Sequence, residues 1–111
     1  MNFDLTSKKC VPCEIGTPPL TNDQYVPLLK QLKLDCEVVD DKALKHEFKF
    51  KDFLESMEFV NKIAKIAEEE GHHPDIYIYY NKVIINLKTH NIRGLSENDF
   101  IVAAKIEKLN T

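Results

Sequence analysis

Four side chains that can move protons or bind metals fall close together in the second half of the chain. Glu68 precedes His72 by four residues, and His73 follows directly. His90 comes further along the chain. Because imidazoles titrate near neutral pH, a group of histidines can donate and accept protons in catalysis. Three histidines with a carboxylate are also a recognised metal ligand set, so the residue types leave both chemistries open.

The predicted elements around these residues bring them together. A helix predicted from Asp52 ends at Gly71, which places Glu68 in its last turn and the adjacent histidines just beyond it. The next two predicted strands, 76–80 and 83–89, form a hairpin about Asn81-Lys82. Strand pairing across that turn predicts that Ile76 faces Leu87 and that His90 lies beside His73. Glu68 is expected to reach back toward the ring of His72.

Other interpretations of the histidines remain open. Adjacent side chains on extended backbone point to opposite faces, which disfavours His72 and His73 as ligands of one metal ion. Their separation from His90 matches neither H-E-x-x-H nor H-x₃₋₅-H. A histidine at a helix end is also often only structural, because the helix dipole favours its cationic form. Convergence of three histidines with Glu68 favours a functional site, whereas His46, alone in a strand, is interpreted as structural.

Hydrophobic patterning predicts an α+β fold in which three helices cover one face of a four-stranded antiparallel sheet, in the order α-β-β-α-β-β-α. Residues 1–19 are predicted to be an irregular N-terminal arm and residues 20–111 a single domain. The predicted elements are a helix capped by Thr21 and Gln24, strands at 36–39 and 44–51, a helix capped by Asp52 and Glu55, strands at 76–80 and 83–89, and a helix capped by Ser96 and Asp99.

Composition excludes several classes of protein. The 111 residues carry a net charge of −3, so no overall positive field attracts nucleic acid, and no direct nucleic-acid partner is expected. The longest apolar stretches are far shorter than the ~20 residues of a membrane span, and no signal peptide is evident, so a cytoplasmic protein without membrane contact is expected. An odd cysteine count makes no disulfide framework. The Cys10-x-x-Cys13 pair lacks two further zinc ligands, which favours an irregular arm over a metal or redox site.

Short motifs at fixed spacing resemble a known family, the pterin-4a-carbinolamine dehydratases. The motifs are Glu68-x-x-x-His72-His73-Pro74, Tyr80-Asn81-Lys82-Val83, Thr89-His90, Gly94-Leu95-Ser96 and Asp99. Upstream, Phe48-Lys49-Phe50-Lys51-Asp52-Phe53, Phe59-Val60-Asn61 and the Cys10-x-Pro12-Cys13 motif are similar to the same family. The resemblance covers nearly the whole chain.

The resemblance implies an enzyme, a hydro-lyase that dehydrates 4a-hydroxytetrahydrobiopterin to quinonoid dihydrobiopterin during tetrahydrobiopterin recycling. It implies neither a metal nor a cofactor. Carried over by position, His72 and His90 are the main general acid and base candidates, and His73 assists the leaving hydroxyl or binds pterin. Glu68 orients a histidine or holds the pterin ring. The implied substrate-binding residues are His72, His73, Pro74, Thr89, His90 and Asp99, although a capping role explains Asp99 equally well.

A different class of function stays open. Animal members of the family also serve as dimerisation cofactors of a transcription factor, so the alternative is a protein-binding or regulatory module on the same fold. An open sheet edge and a bare sheet face are usually covered by a partner, which predicts a homodimer or homotetramer. The complete set of His and Glu residues favours the enzyme.

Overall fold

A computed structural model describes residues 5–12, 14–32 and 36–109, which form a four-stranded antiparallel sheet and three α-helices. The elements are α1 (Asn22–Leu29), β1 (Glu37–Val39), β2 (Ala43–Lys49), α2 (Phe53–Glu70), β3 (Asp75–Tyr79), β4 (Lys82–Leu87) and α3 (Glu97–Leu109), with 3₁₀ turns at Leu5–Ser7 and His90–Ile92. The sheet order is β1-β2-β4-β3. This confirms the predicted α+β class and element order. Cys13 lies outside the described residues.

One face of the two central strands forms one side of the core. Along β4 the buried residues alternate as Val83, Ile85 and Leu87, and β2 adds Leu44 and Phe48. This period of two is what a strand with one covered face requires. The helices pack on that face with apolar residues that include Phe59, Ile63, Phe100 and Ile106. In the described part of the chain, no helix has the length and apolar character needed to cross a membrane.

Local signals at the helix ends were predicted correctly. The Asp52 side chain accepts a hydrogen bond from the backbone N–H of Glu55 at 2.9 Å, which caps the start of α2. At the start of α1 the Gln24 side chain accepts from the Thr21 N–H at 2.9 Å. Gly71 ends α2 in the left-handed conformation with φ 65°, which turns the chain away from the helix axis at the residue before His72.

The turn of the second hairpin was predicted one residue too late. Tyr80 and Asn81 form the turn, and Lys82 is already part of β4. Ile76 therefore pairs with Ile85 and not with Leu87 as the sequence predicted.

The neighbouring strand explains this difference. On its other side Lys82 pairs with Lys49 of β2, and the Phe50 N–H donates to the Asn81 carbonyl at 2.7 Å. These contacts hold Lys82 in the sheet, which the isolated hairpin sequence does not reveal. Tyr80 accordingly adopts a positive φ of 43°. The β3–β4 pairing ends at Asp75, before the histidines, so the ladder itself does not set their spacing.

Gly71 provides a test of how the chain is directed into the histidine segment. A Cβ at this position would meet no other atom within 4 Å, so replacement costs only backbone strain. We expect Gly71→Ala to lower the free energy of unfolding by about 1 kcal/mol, because a left-handed conformation is unfavourable for alanine. Gly71→Asn is the matched control and should lower the free energy of unfolding by less, since asparagine tolerates this conformation. Urea unfolding measures both, and an Ala variant as stable as wild type would contradict the account.

Candidate active site

A cavity of about 500 Å³ opens where three parts of the chain meet. Its walls are residues 10–12 of the N-terminal arm, residues 70–75 from the end of α2 to the start of β3 and residues 88–91 after β4, with Asn98 of α3. Concave sites of this size are typical of small-molecule binding. The cavity is therefore the candidate site.

Five of the seven residues predicted for the site line this cavity. They are His72, His73, Pro74, Thr89 and His90. The other two, Glu68 and Asp99, are not among its lining residues, and each instead forms a hydrogen bond with one of the histidines. His46, interpreted as structural, lies elsewhere in β2 with its ring 4.4 Å from that of Phe48 in an edge-on contact.

The carboxylate of Asp99 joins three elements at the base of the site. One oxygen, Oδ1, lies 2.6 Å from His72 Nε2. The other, Oδ2, accepts from the Thr89 hydroxyl and from the Ser96 backbone N–H, each at 2.9 Å. The Asp99 side chain is fully buried, and the side chain of His72 is 12% exposed. A buried carboxylate needs this many donors, because an unpaired one would cost several kcal/mol.

Hydrogen-bond accounting fixes the direction of the remaining contacts. Since the Thr89 hydroxyl donates its one proton to Asp99, the Ser96 hydroxyl is the donor in the 2.7 Å contact between the two hydroxyls. The Asp99 carboxylate can only accept, so His72 donates through Nε2–H. This leaves Nδ1 as the ring nitrogen that can exchange a proton with a ligand.

Glu68 pairs with a different histidine from the one predicted. Its Oε2 lies 2.5 Å from Nε2 of His73, and the reach to His72 predicted from the sequence is wrong. Gly71 turns the chain, and His72 points into the protein to meet Asp99, whereas His73 points back along the outside of α2. The Glu68–His73 pair is largely exposed, so it contributes little to stability.

His90 completes the group from the wall formed by residues 88–91. It begins the 3₁₀ turn after β4, and that turn ends at Arg93 in a left-handed conformation with φ 53°. A bridge between Thr89 and Gly94 closes this loop. The imidazole of His90 is exposed and has no hydrogen-bond or ion-pair partner within the described residues. It is thus free to meet a ligand in the cavity.

The two carboxylates near the histidines are engaged separately, Asp99 with His72 and Glu68 with His73. Among residues 5–12, 14–32 and 36–109, no three His, Cys, Asp or Glu side chains are grouped as ligands of a metal ion.

The sequence did not identify Glu70 as part of the site. Its Oε1 accepts from the backbone N–H of Cys10 at 2.9 Å, and its Oε2 pairs with Lys105 at 2.7 Å. Burial would raise the pKa of Glu70, but these two donors outweigh it and lower the pKa below the ordinary value. The neighbouring Cys10 thiol has its pKa raised to about 12 by burial and by the charge of Glu70. Glu70 lies in a run of three glutamates, and nothing local in the sequence distinguishes it from the others.

Comparison with known proteins shows the family of the chain. Residues 18–109 match the family described as pterin 4 alpha carbinolamine dehydratase. A relative in Alkaliphilus metalliredigens, assigned by its name to pterin-4-alpha-carbinolamine dehydratase, is 49% identical over 105 residues, covering 95% of each chain. A Rubrobacter xylanophilus relative assigned in the same way is 43% identical and covers 96% of this chain and 98% of its own.

Solved structures share the fold. The crystal structure described as the transcriptional coactivator/pterin dehydratase from Brucella melitensis is 33% identical, with a TM-score of 0.78, over 84% of this chain and 99% of that one. A pterin dehydratase-like protein described as a RuBisCO assembly factor has a TM-score of 0.56 at 24% identity, over 67% of this chain and 84% of that one, which shows the fold alone. The family match and the near full-length identity settle the family: this chain belongs to the pterin-4a-carbinolamine dehydratases, which are hydro-lyases.

Proposed function

We propose that this protein dehydrates 4a-hydroxytetrahydrobiopterin to quinonoid dihydrobiopterin and water, as a step of tetrahydrobiopterin recycling. The observation that carries the proposal is the convergence of His72, His73 and His90 on one cavity. In the reaction the C4a–O bond breaks, the hydroxyl leaves as water with a proton supplied by an acid, and a base removes the proton from N5. A C4a–N5 double bond forms as the C4a hydroxyl and the N5 proton are lost together as water. The step therefore involves no net oxidation and requires no redox cofactor.

The reaction needs an acid and a base that act together, and the site offers a histidine on each of two walls. His72 is held by Asp99, with Nδ1 left for proton exchange, whereas the ring of His90, on the wall formed by residues 88–91, has no hydrogen-bond partner among the described residues. We assign the acid–base pair to these two residues. The fold holds the ring of His72 in place before the ligand binds, whereas the ring of His90 can adjust to the ligand.

The other predicted residues take supporting roles in the proposal. His73 lines the cavity and assists the leaving hydroxyl or binds the pterin, while Glu68 orients His73 through their hydrogen bond. Pro74 and Thr89 form part of the pterin-binding wall. Asp99 acts through His72 and Thr89, because its buried carboxylate does not reach the cavity, and it is therefore a positioning residue.

The double variant His72→Ala/His90→Ala tests the acid–base assignment. We expect the rate of dehydration to fall by about 10²- to 10⁴-fold, which is the usual contribution of general acid–base groups. Loss of the 4a-carbinolamine absorbance measures the rate. His46→Gln is the matched control, since this histidine lies outside the cavity, and it should retain the wild-type rate. A double variant that works at the wild-type rate would refute the assignment.

Asp99→Asn tests the positioning role. The amide has the same shape but cannot accept all three hydrogen bonds, so His72 loses its fixed orientation. We expect kcat to fall on the order of 100-fold, as small misplacements of catalytic groups do. KM should change little, because Asp99 does not touch the cavity. Steady-state kinetics on the folded fraction separates the two constants, with exposed Asp23→Asn as control. A rise in KM at unchanged kcat would assign Asp99 to substrate binding instead.

We also propose a cytoplasmic homo-oligomer in which β3 pairs with a second copy. This strand lies at the edge of the sheet and exposes Tyr77, Ile78 and Tyr79. An exposed apolar edge with unpaired backbone groups is a surface that proteins normally cover. A role in binding another protein is the second candidate function, and it is supported by the Brucella relative described as a transcriptional coactivator/pterin dehydratase.

The charged double variant Tyr77→Lys/Tyr79→Lys tests whether β3 pairs with a second copy of the chain. We expect the wild-type protein to elute as an oligomer and the variant to become monomeric, because like charges would face each other across the paired edges. Light scattering after size exclusion gives the mass. Ile15→Lys, at an even more exposed apolar side chain of the arm, should keep the wild-type mass. A monomeric wild-type protein, or an unchanged double variant, would contradict pairing through β3.

A further inference from the structure

We infer that the N-terminal arm is part of the substrate site and that the Val11 side chain is an apolar contact for the bound pterin ring. The inference rests on the proposed function, and it deepens it by assigning a specificity-determining residue outside the histidine group. Buried polar groups hold the backbones of Cys10 and Val11, yet the Val11 side chain remains 66% exposed.

The arm is fixed to the body of the protein before it reaches the cavity. Leu5, in the first 3₁₀ turn, is fully buried in the core, and this turn packs against α3. Lys8 then pairs with Glu97 at the start of α3, at 3.0 Å. The chain therefore arrives at the cavity along α3.

Both backbone groups of Val11 are bound by one buried side chain. The Val11 N–H donates to Asn98 Oδ1 at 3.1 Å, and Asn98 Nδ2 donates to the Val11 carbonyl at 2.6 Å. Asn98 is itself 5% exposed and lines the cavity. Two reciprocal hydrogen bonds from a rigid, buried amide fix the position of the Val11 backbone and hence the direction of its side chain.

The preceding residue is held by a second buried group. Glu70 accepts from the Cys10 N–H and is paired with Lys105, and the side chains of Glu70 and Lys105 are 6% and 18% exposed. Burying an ion pair is costly, so it gives little net stability. Here it joins the end of α2, the middle of α3 and the arm beside the cavity. These buried polar contacts therefore fix the position of the arm.

The rigid backbone and the exposed side chain together indicate a ligand contact. Val11 and Pro12 give the cavity an apolar wall, whereas His72, His73 and His90 supply polar groups from the other two walls. The flat pyrimidine half of a pterin offers an apolar face and polar edges, which fits such a division. Ile15, also in the arm, is 86% exposed and does not line the cavity, so exposure alone does not mark a contact.

The comparison of Val11→Ala with Ile15→Ala tests the inference. Each substitution removes exposed apolar atoms from the same arm, but of the two residues only Val11 lines the cavity. We expect Val11→Ala to weaken binding of 7,8-dihydrobiopterin about fivefold, as partial loss of two buried carbon groups would, and Ile15→Ala to bind as wild type does. Titration calorimetry measures the dissociation constants.

Alkylation of Cys10 gives a second readout on the unaltered protein. Its raised pKa of about 12 keeps the thiol protonated, so it should react slowly with iodoacetamide at pH 8 while the arm is docked. A bound pterin should slow the reaction further, because Cys10 lines the cavity. Peptide mass spectrometry follows Cys10 separately, and Cys36, outside the cavity, serves as the internal control.

The outcomes separate the two proposals. If wild-type protein binds no dihydrobiopterin, the proposed function falls, and the inference falls with it. If wild-type protein binds and Val11→Ala binds equally well, or if the pterin leaves the alkylation of Cys10 unchanged, the arm is no part of the substrate site and the proposed function stands.

Discussion

The buried carboxylate of Asp99 is the constraint on which the site depends. It accepts hydrogen bonds from His72, Thr89 and Ser96, and so ties together the chain after α2, the end of β4 and the start of α3. Because it is fully buried, losing one of these donors would leave part of its charge uncompensated. The geometry around His72 is thus coupled to the stability of the fold, and a single residue serves both as a helix cap and as the support of a histidine.

The local parts of this structure were predictable from the sequence. Asp52 and Gly71 mark the ends of α2 because capping involves residues three or four positions apart, and the hydrogen bond between Ser96 and Asp99 follows the same rule. The prediction failed where a strand distant in sequence determines the position of a turn. The turn at Tyr80 shifts because β2 holds Lys82 in the sheet, which no pattern within the hairpin reveals.

The same distinction between local and distant contacts applies to the candidate site. The grouping of His72, His73 and His90 in one cavity was expected, but the pairing of carboxylates with histidines was not. Likewise, nothing in the sequence connects Val11 with Asn98, since they lie 87 residues apart and each is unremarkable in its own segment. The predicted helix end and hairpin brought the histidines together, whereas the way they are supported emerged only from the folded chain.

The central claim is that three of the four histidines face one pterin site, and the fourth serves as a built-in reference. The most direct measurement is the imidazole C–H spectrum of the ¹³C-labelled protein, titrated with the unreactive analogue 7,8-dihydrobiopterin. The account predicts that the resonances of His72, His73 and His90 shift together and saturate with a single dissociation constant, while those of His46 stay in place. Unchanged resonances of the three, or a response at His46 alone, would contradict it.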